Sequence, residues 1–355
     1  MQPSPPRIVE PCGPSPVLCG FGGHLPEPVV TNHELATRLD TSDEWIRQRT
    51  GIAQRHRVAP GGATSDLAVE AGRQALASAG GGTVDAVVLA TSTPDHISPA
   101  TAPDVAARLG LGPVAAFDIG AVCSGFVYGL AVSASLVRAG VATRVLLIGA
   151  DTYTTLVDPN DRTTAILFGD GAGAVVLRAG RAGEPGAVGP FDLGSDGTRK
   201  DLILVPNGGS RQRSRSARPP VGSDPRDDHV HVVGGEVFQH AVRRMCQSTR
   251  NVLDSAGWSL DDVARLLPHQ ANHRIATAVA RRLDLPEDRL LSNIEQVGNT
   301  AGASIPLLLA RTWERGLLRP GDKVVITAFG GGLTWGSAAI SWPSPGPPED
   351  PLGRE

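Results

Sequence analysis

The chain has 355 residues, of which 41% are hydrophobic and 19% charged, with a formal net charge of −3. That length supports one large core or two fused ones. So near-neutral a balance gives no reason to expect nucleic acid or an anionic membrane as partner, and no apolar run is long enough to span a bilayer.

In chain order, residues 1–16 are proline-rich, lack an apolar signal segment and read as a disordered tail. A half spanning 17–206 follows. In it VDAVVLATS, VAAFDI, RVLLIGA and GAVVLR read as buried strands. SDLAVEAGRQALASAG and SGFVYGLAVSASLVRAG read as helices that end at glycine. Residues 207–229 are polar, rich in Gly, Pro and Ser, and basic at their centre. They form an exposed loop, which is either a solvated insertion or a rim that meets an anionic carrier or cofactor. A second half, 230–342, holds the helices EVFQHAVRRMCQSTRNVLDSAG and NHRIATAVARRLDL and the strand KVVITAF. Residues 343–355 read as a second disordered tail. Alternating strands and helices imply an α/β fold with mostly parallel, buried sheets.

Of the four cysteines, Cys12 falls in the first tail, Cys19 in a first strand and Cys246 in a helix. They show no CxxC spacing, so neither a disulfide framework nor a metal site is expected, and a cytoplasmic, reducing compartment is the default. Cys123 differs. A buried strand runs into a small-residue turn, and a helix begins at or just after it. The helix N-terminus favours thiolate and should lower the thiol pKa. Gly120, Ala121 and Gly125 leave room for a substrate, although a buried structural cysteine fits the segment as well.

His269 ends an apolar run just before a helix, where active sites of parallel sheets collect. A satisfied structural histidine is the plainer reading. Asn299 lies in a Gly-rich turn feeding a helix, a common place for a helix cap. The run AFGGGLTWGSA offers either a tight turn or backbone N–H groups facing a ligand.

Taken together, TSDEWIRQRTGIAQRH, the Cys123 segment, FGDGAGAVVL, GGEVFQHAV, HQANHRI, GNTAGASIP and AFGGGLTWGSA resemble the β-ketoacyl-acyl-carrier-protein synthase III family, the initiating ketosynthases, in order and over roughly 17–342. The resemblance implies the thiolase fold, two similar halves forming a five-layered α-β-α-β-α core, and a homodimer. It makes Cys123, His269 and Asn299 the catalytic residues. It assigns the oxyanion hole to the N–H groups of Cys123 and Gly331, and shielding of the decarboxylation site to Phe329. It places coenzyme A along Trp45, Arg49, Arg162, Gly234 and Asn272, Ser98 at the partner's acyl pocket, and acyl-carrier docking on Arg274, Arg281 and Arg282. Coenzyme A thioester is a substrate, and no cofactor or metal is implied.

The implied reaction is loading of an acyl group from acyl-CoA onto Cys123, then decarboxylative condensation with malonyl-acyl-carrier protein. The alternative is an acyltransferase passing the group to a carrier thiol or hydroxyl. A non-catalytic scaffold should have lost Cys123. Four departures point to a specialised polyketide or fatty-acid pathway relative: small Ser98 where a bulky residue is common, Gln239 at a usually basic position, the long Arg-rich loop, and GAVCSGF around the nucleophile. Ser98 suggests a roomy acyl pocket.

Overall fold

The computed structural model describes residues 13–214 and 225–344. Cys12, the centre of the basic loop and most of both tails lie outside the described residues. Five strands form the first sheet: β1 (Ser15–His24), β2 (Ala86–Ala90), β3 (Ala115–Ile119), β4 (Arg144–Asp151) and β5 (Gly171–Gly180), in the order β1-β5-β4-β2-β3. The second sheet holds β6 (Val188–Ser195), β7 (Val263–Pro268), β8 (Lys323–Gly330) and β9 (Thr334–Ser341), in the order β7-β8-β9-β6. Leu290 bridges Leu266 in parallel, on the edge that β3 occupies in the first sheet. Two similar halves are therefore visible in the strand order itself.

The helices are α1 (Asp43–Thr50), α2 (Thr64–Ser78), α3 (Ala102–Arg108), α4 (Gly125–Arg138), α5 (Gly234–Ala256), α6 (His273–Arg282) and α7 (Ser304–Glu314). Helices α4 and α7 lie between the sheets, α2 and α3 outside the first, and α5 and α6 on the far side of the second. This is the five-layered thiolase-type arrangement. Its physical basis is legible in β2, every residue of which is buried. Ala86 and Val88 enter the central core, while Val87 and Leu89 enter the core beneath α2. A strand covered on both faces must be apolar at every position, which is why it reads as a continuous run. Where helix and sheet meet most closely only glycine fits: a Cβ on Gly22 would lie 2.2 Å from the Ala71 carbonyl oxygen.

Two expectations are corrected. The sheets are mixed, with three parallel and four antiparallel pairings, because hairpin-like returns place β5 and β9 beside their predecessors. Also, β6 lies before residue 206 yet pairs with β9 in the second sheet, so the first half's own sheet ends with β5. The short β6 run, VGPFDLGS, gives no periodic signal of which sheet it joins. The described ends of the basic loop are tied together, Asn207 N–H donating to the Asp227 carbonyl at 3.0 Å and Asn207 Nδ2 to Asp228 Oδ1 at 3.0 Å.

Candidate active site

Cys123, His269 and Asn299 come from three distant segments and line one cavity of about 150 Å³, together with Phe329, Gly234 and Asn272. Each is delivered by the end of a core element. Cys123 sits in a single tight turn, Val122–Ser124, that leads from β3 into α4. Val122 there has φ 47°, a left-handed conformation that a β-branched residue adopts only under strain, typically about 1–3 kcal/mol.

The thiol is only 8% exposed. Burial, reinforced by the Asp151 carboxylate, pushes its pKa up to about 12, and its own backbone N–H opposes this. The expected acidic thiol is thus corrected: burial holds the resting group as a thiol. His269 is 3% exposed; burial pushes it down to about 3, so the imidazole is neutral and a weak base. Neither ring nitrogen has a hydrogen-bond partner among the described residues. Its backbone is anchored instead, His269 N–H donating to the Thr327 carbonyl at 2.8 Å. The next residue is locked as well: Gln270 N–H donates to Ser304 Oγ at 2.7 Å, and Ser292 Oγ donates to Gln270 Oε1 at 2.6 Å.

Asn299 is clamped as a one-residue strand against Phe168, its N–H donating to the Leu167 carbonyl at 2.8 Å and its carbonyl accepting from Gly169 N–H at 3.0 Å. Its side-chain oxygen accepts from Ala301 N–H at 3.0 Å. The capping reading is realised: the oxygen caps the turn, and Nδ2 has no hydrogen-bond partner among the described residues. Phe329 closes the end of β8 beside this amide, and Gly330 packs so tightly on the nucleophile turn that a Cβ there would lie 2.8 Å from Cys123 N. Gly331 follows at the same turn, against Ile203.

The residues expected along coenzyme A form a second group. The Arg49 and Arg162 guanidiniums lie 5.0 and 5.1 Å from the centroid of the Trp45 ring, and Arg162 Nη1 donates to the Asp40 carbonyl at 2.8 Å. Asn272 links this group to the cavity: its Nδ2 donates to the Arg49 carbonyl at 3.1 Å, while its Oδ1 caps α6 through Arg274 N–H. Arg274, Arg281 and Arg282 are exposed on α6, with Arg281 3.3 Å from Glu287. Ser98 is exposed and lines neither this cavity nor its neighbour within the protomer.

Sequence reasoning missed the cavity walls Tyr153, Phe168, Ile203, Phe238 and Met245. Tyr153 stacks on Phe168 with ring centroids 4.6 Å apart. Tyr153 and Ile203 also line a larger cavity of about 580 Å³, which Val122 reaches from beside the nucleophile. It missed Asp151 too, although a carboxylate closing the buried run RVLLIGAD is a signal in itself.

Comparisons with known proteins identify the family. The family model described as 3-oxoacyl-[acyl-carrier-protein] synthase III matches residues 117–197, and its C-terminal model matches 253–342. The β-ketoacyl-[acyl-carrier-protein] synthase III 5 of Streptomyces coelicolor is 57% identical over 328 residues, covering 92% of this chain and 97% of the relative. The synthase III of Pseudomonas aeruginosa strain LESB58 is 54% identical over 327 residues, covering 92% and 96%. The crystal structure of the 3-oxoacyl-(acyl carrier protein) synthase III of Pseudomonas aeruginosa PAO1 superposes with a TM-score of 0.86 at 52% identity, covering 94% of this chain and all of that one. Matched over 92% of its length by a relative 57% identical to it, the chain belongs to the 3-oxoacyl-[acyl-carrier-protein] synthase III family.

Proposed function

We propose that the protein loads an acyl group from acyl-CoA onto Cys123 and condenses it with malonyl-acyl-carrier protein. The observation that carries this is the pairing of a neutral, unpartnered His269 with the free Asn299 amide beside a buried thiol. In loading, the sulfur attacks the thioester carbonyl, and the thiol proton ends on the departing coenzyme A thiolate. The acyl oxyanion is held by the N–H groups of Cys123 and Gly331, donors of a kind often worth about 3 kcal/mol each.

The second half-reaction needs hydrogen-bond donors rather than a base. His269 and Asn299 Nδ2 hold the malonyl thioester oxygen, carbon dioxide leaves, and the negative charge passes to that oxygen. The resulting carbanion attacks the acyl carbon, and Cys123 departs as thiolate and regains a proton. Phe329 keeps water from the carbanion. Trp45, Arg49 and Arg162 receive the nucleotide end of coenzyme A, with Gly234 and Asn272 along its arm. The larger cavity past Tyr153 takes the acyl chain.

Arg274, Arg281 and Arg282 meet the acidic carrier. A second copy pairs along β3, the end strand of its sheet with one edge unpaired among the described residues, and brings Ser98 to its partner's acyl pocket. No helix among the described residues is long and apolar enough to cross a membrane, and the cytoplasm, where both thioester substrates would be met, is the proposed compartment.

The test separates the two half-reactions. Asn299→Ala should load Cys123 from acyl-CoA, seen as an adduct by intact-protein mass, yet release carbon dioxide from malonyl-carrier at least about 100-fold more slowly. Full ketoacyl product from this variant would sink the condensing mechanism. Wild-type transfer of acyl to a carrier thiol without carbon dioxide release would favour the transferase alternative.

A further inference from the structure

The two halves carry two copies of the nucleophile turn. Val122–Ser124 precedes α4, and Ala301–Ala303 precedes α7. Val122 has φ 47° and Ala301 φ 46°, two of the three non-glycine residues with positive φ among the described residues. Each turn is closed by the same bond, Ser124 N–H to the Ala121 carbonyl at 3.1 Å and Ala303 N–H to the Thr300 carbonyl at 3.0 Å. Cys123 in one copy thus corresponds to Gly302 in the other.

The strands that end beside them correspond too. β8 ends at Gly330, whose missing side chain leaves Cys123 N–H open: a Cβ would lie 2.8 Å from that nitrogen. β4 ends at Asp151, whose Oδ2 accepts from Gly302 N–H at 2.7 Å. One half keeps the turn's N–H for a substrate oxygen. The other half fills the matching N–H with its own carboxylate.

We propose that Asp151 is a positioning residue for the condensation half-reaction, pinning the Ala301–Ala303 turn so that the Asn299 amide faces the malonyl oxygen. This rests on the role of Asn299 proposed above. The pin has a rigid counter-anchor. Asp151 Oδ1 accepts from Ser92 N–H at 2.7 Å and from the hydroxyls of Thr91 at 3.2 Å and Thr93 at 3.1 Å, all at the end of β2. Asn299 Oδ1 in turn accepts from Ala301 N–H, so a shift of the turn moves the amide directly. The carboxylate takes backbone N–H donors at both oxygens, which an amide cannot do: in Asp151→Asn either Ser92 N–H or Gly302 N–H faces an NH₂ group.

The groups packed on Asp151 are Thr91, Ser92, Thr93 and Gly302, with Cys123 and Tyr153 as its titratable neighbours. Burial raises Asp151 to about 6, and raises both neighbours, so they keep their protons through the acid range where Asp151 gains one. Protonation would replace an acceptor by a donor at one anchor, the same change as Asp151→Asn.

The experiment measures loading from acyl-CoA and, separately, carbon dioxide release from malonyl-carrier by enzyme already acylated on Cys123. Asp151→Asn removes the charge that opposes thiolate at Cys123, so it should load at least as fast as wild type, yet condense about 100-fold more slowly, the cost of a misplacement near 1 Å. Wild type already acylated on Cys123 should itself lose condensation by about tenfold per pH unit below pH 6, a readout that does not involve the thiol and survives if the variant does not fold. Equal losses in both half-reactions, or acylated wild type whose condensation does not fall on acidification, would overturn the proposal. Asn299→Ala is the control: if it condenses normally, the reading of Asn299 has failed, and not the anchoring of its turn.

Discussion

Cys123 shows how burial can reverse a local expectation. A helix N-terminus favours thiolate, but the sulfur is sealed from water and faces a carboxylate, so the proton stays on. The reactivity of the free enzyme should report this. Alkylation of Cys123 by iodoacetamide, followed by mass spectrometry, should rise about tenfold per pH unit from pH 7 to 9, because thiolate is the attacking species. A plateau near neutral pH would reveal a preformed thiolate, and the protonated resting thiol would have to be abandoned. His269 stays neutral through the same range, because charging it inside the cavity lacks any compensating partner. That neutrality suits the role proposed for it in condensation, donating a hydrogen bond to the malonyl oxygen.

At the scale of elements, α7 matters beyond its share of the core. It stands between the two sheets, starts immediately after the Asn299 turn, and packs on β5 so closely that a Cβ on Gly173 would lie 2.4 Å from Leu307 N. Leu309 is fully buried at its centre, in the core shared by both sheets. Leu309→Ala should cost about 3 kcal/mol, within the range for a buried leucine whose cavity cannot collapse between rigid layers. Urea unfolding should show a lower midpoint with an unchanged slope. A loss below about 1 kcal/mol would mean that the middle layer relaxes around the hole. Helix α4 is its counterpart in the other half, and each carries one of the paired turns at its start. The site is thus held by the best-buried helices rather than by surface loops.

Across the whole molecule, charge is nearly balanced, so partner recognition has to be local. The exposed arginines of α6 lie on the helix that Asn272, a residue of the cavity wall, caps. Replacing Arg274, Arg281 and Arg282 with Glu should raise the KM for malonyl-carrier about tenfold or more at low salt and leave the KM for acyl-CoA unchanged. The difference should shrink as salt screens the surface charges. An unchanged carrier KM at low salt would move the docking face elsewhere. Arg281 is the weakest of the three in this respect, since Glu287 already holds it.

The sequence alone determined what depends on local pattern and on short motifs. The runs around Ala86–Ala90, Arg144–Asp151 and Lys323–Gly330 had to be buried strands, because only a strand covered on both faces tolerates apolar residues at every position. Cys123, His269 and Asn299 were legible because each stands in a Gly-rich or polar junction between strand and helix, and because their motifs occur in family order. Tertiary structure decided the rest. Which sheet Val188–Ser195 would join depends on pairing with a strand more than a hundred residues later. The protonation state of Cys123 depends on how deeply the assembled halves bury it. The bond between Asp151 and Gly302 spans 151 residues, and nothing near either one announces the other. Two copies of one strained turn become visible only when the halves are superimposed, since the backbone angle they share leaves no mark in the residues that adopt it.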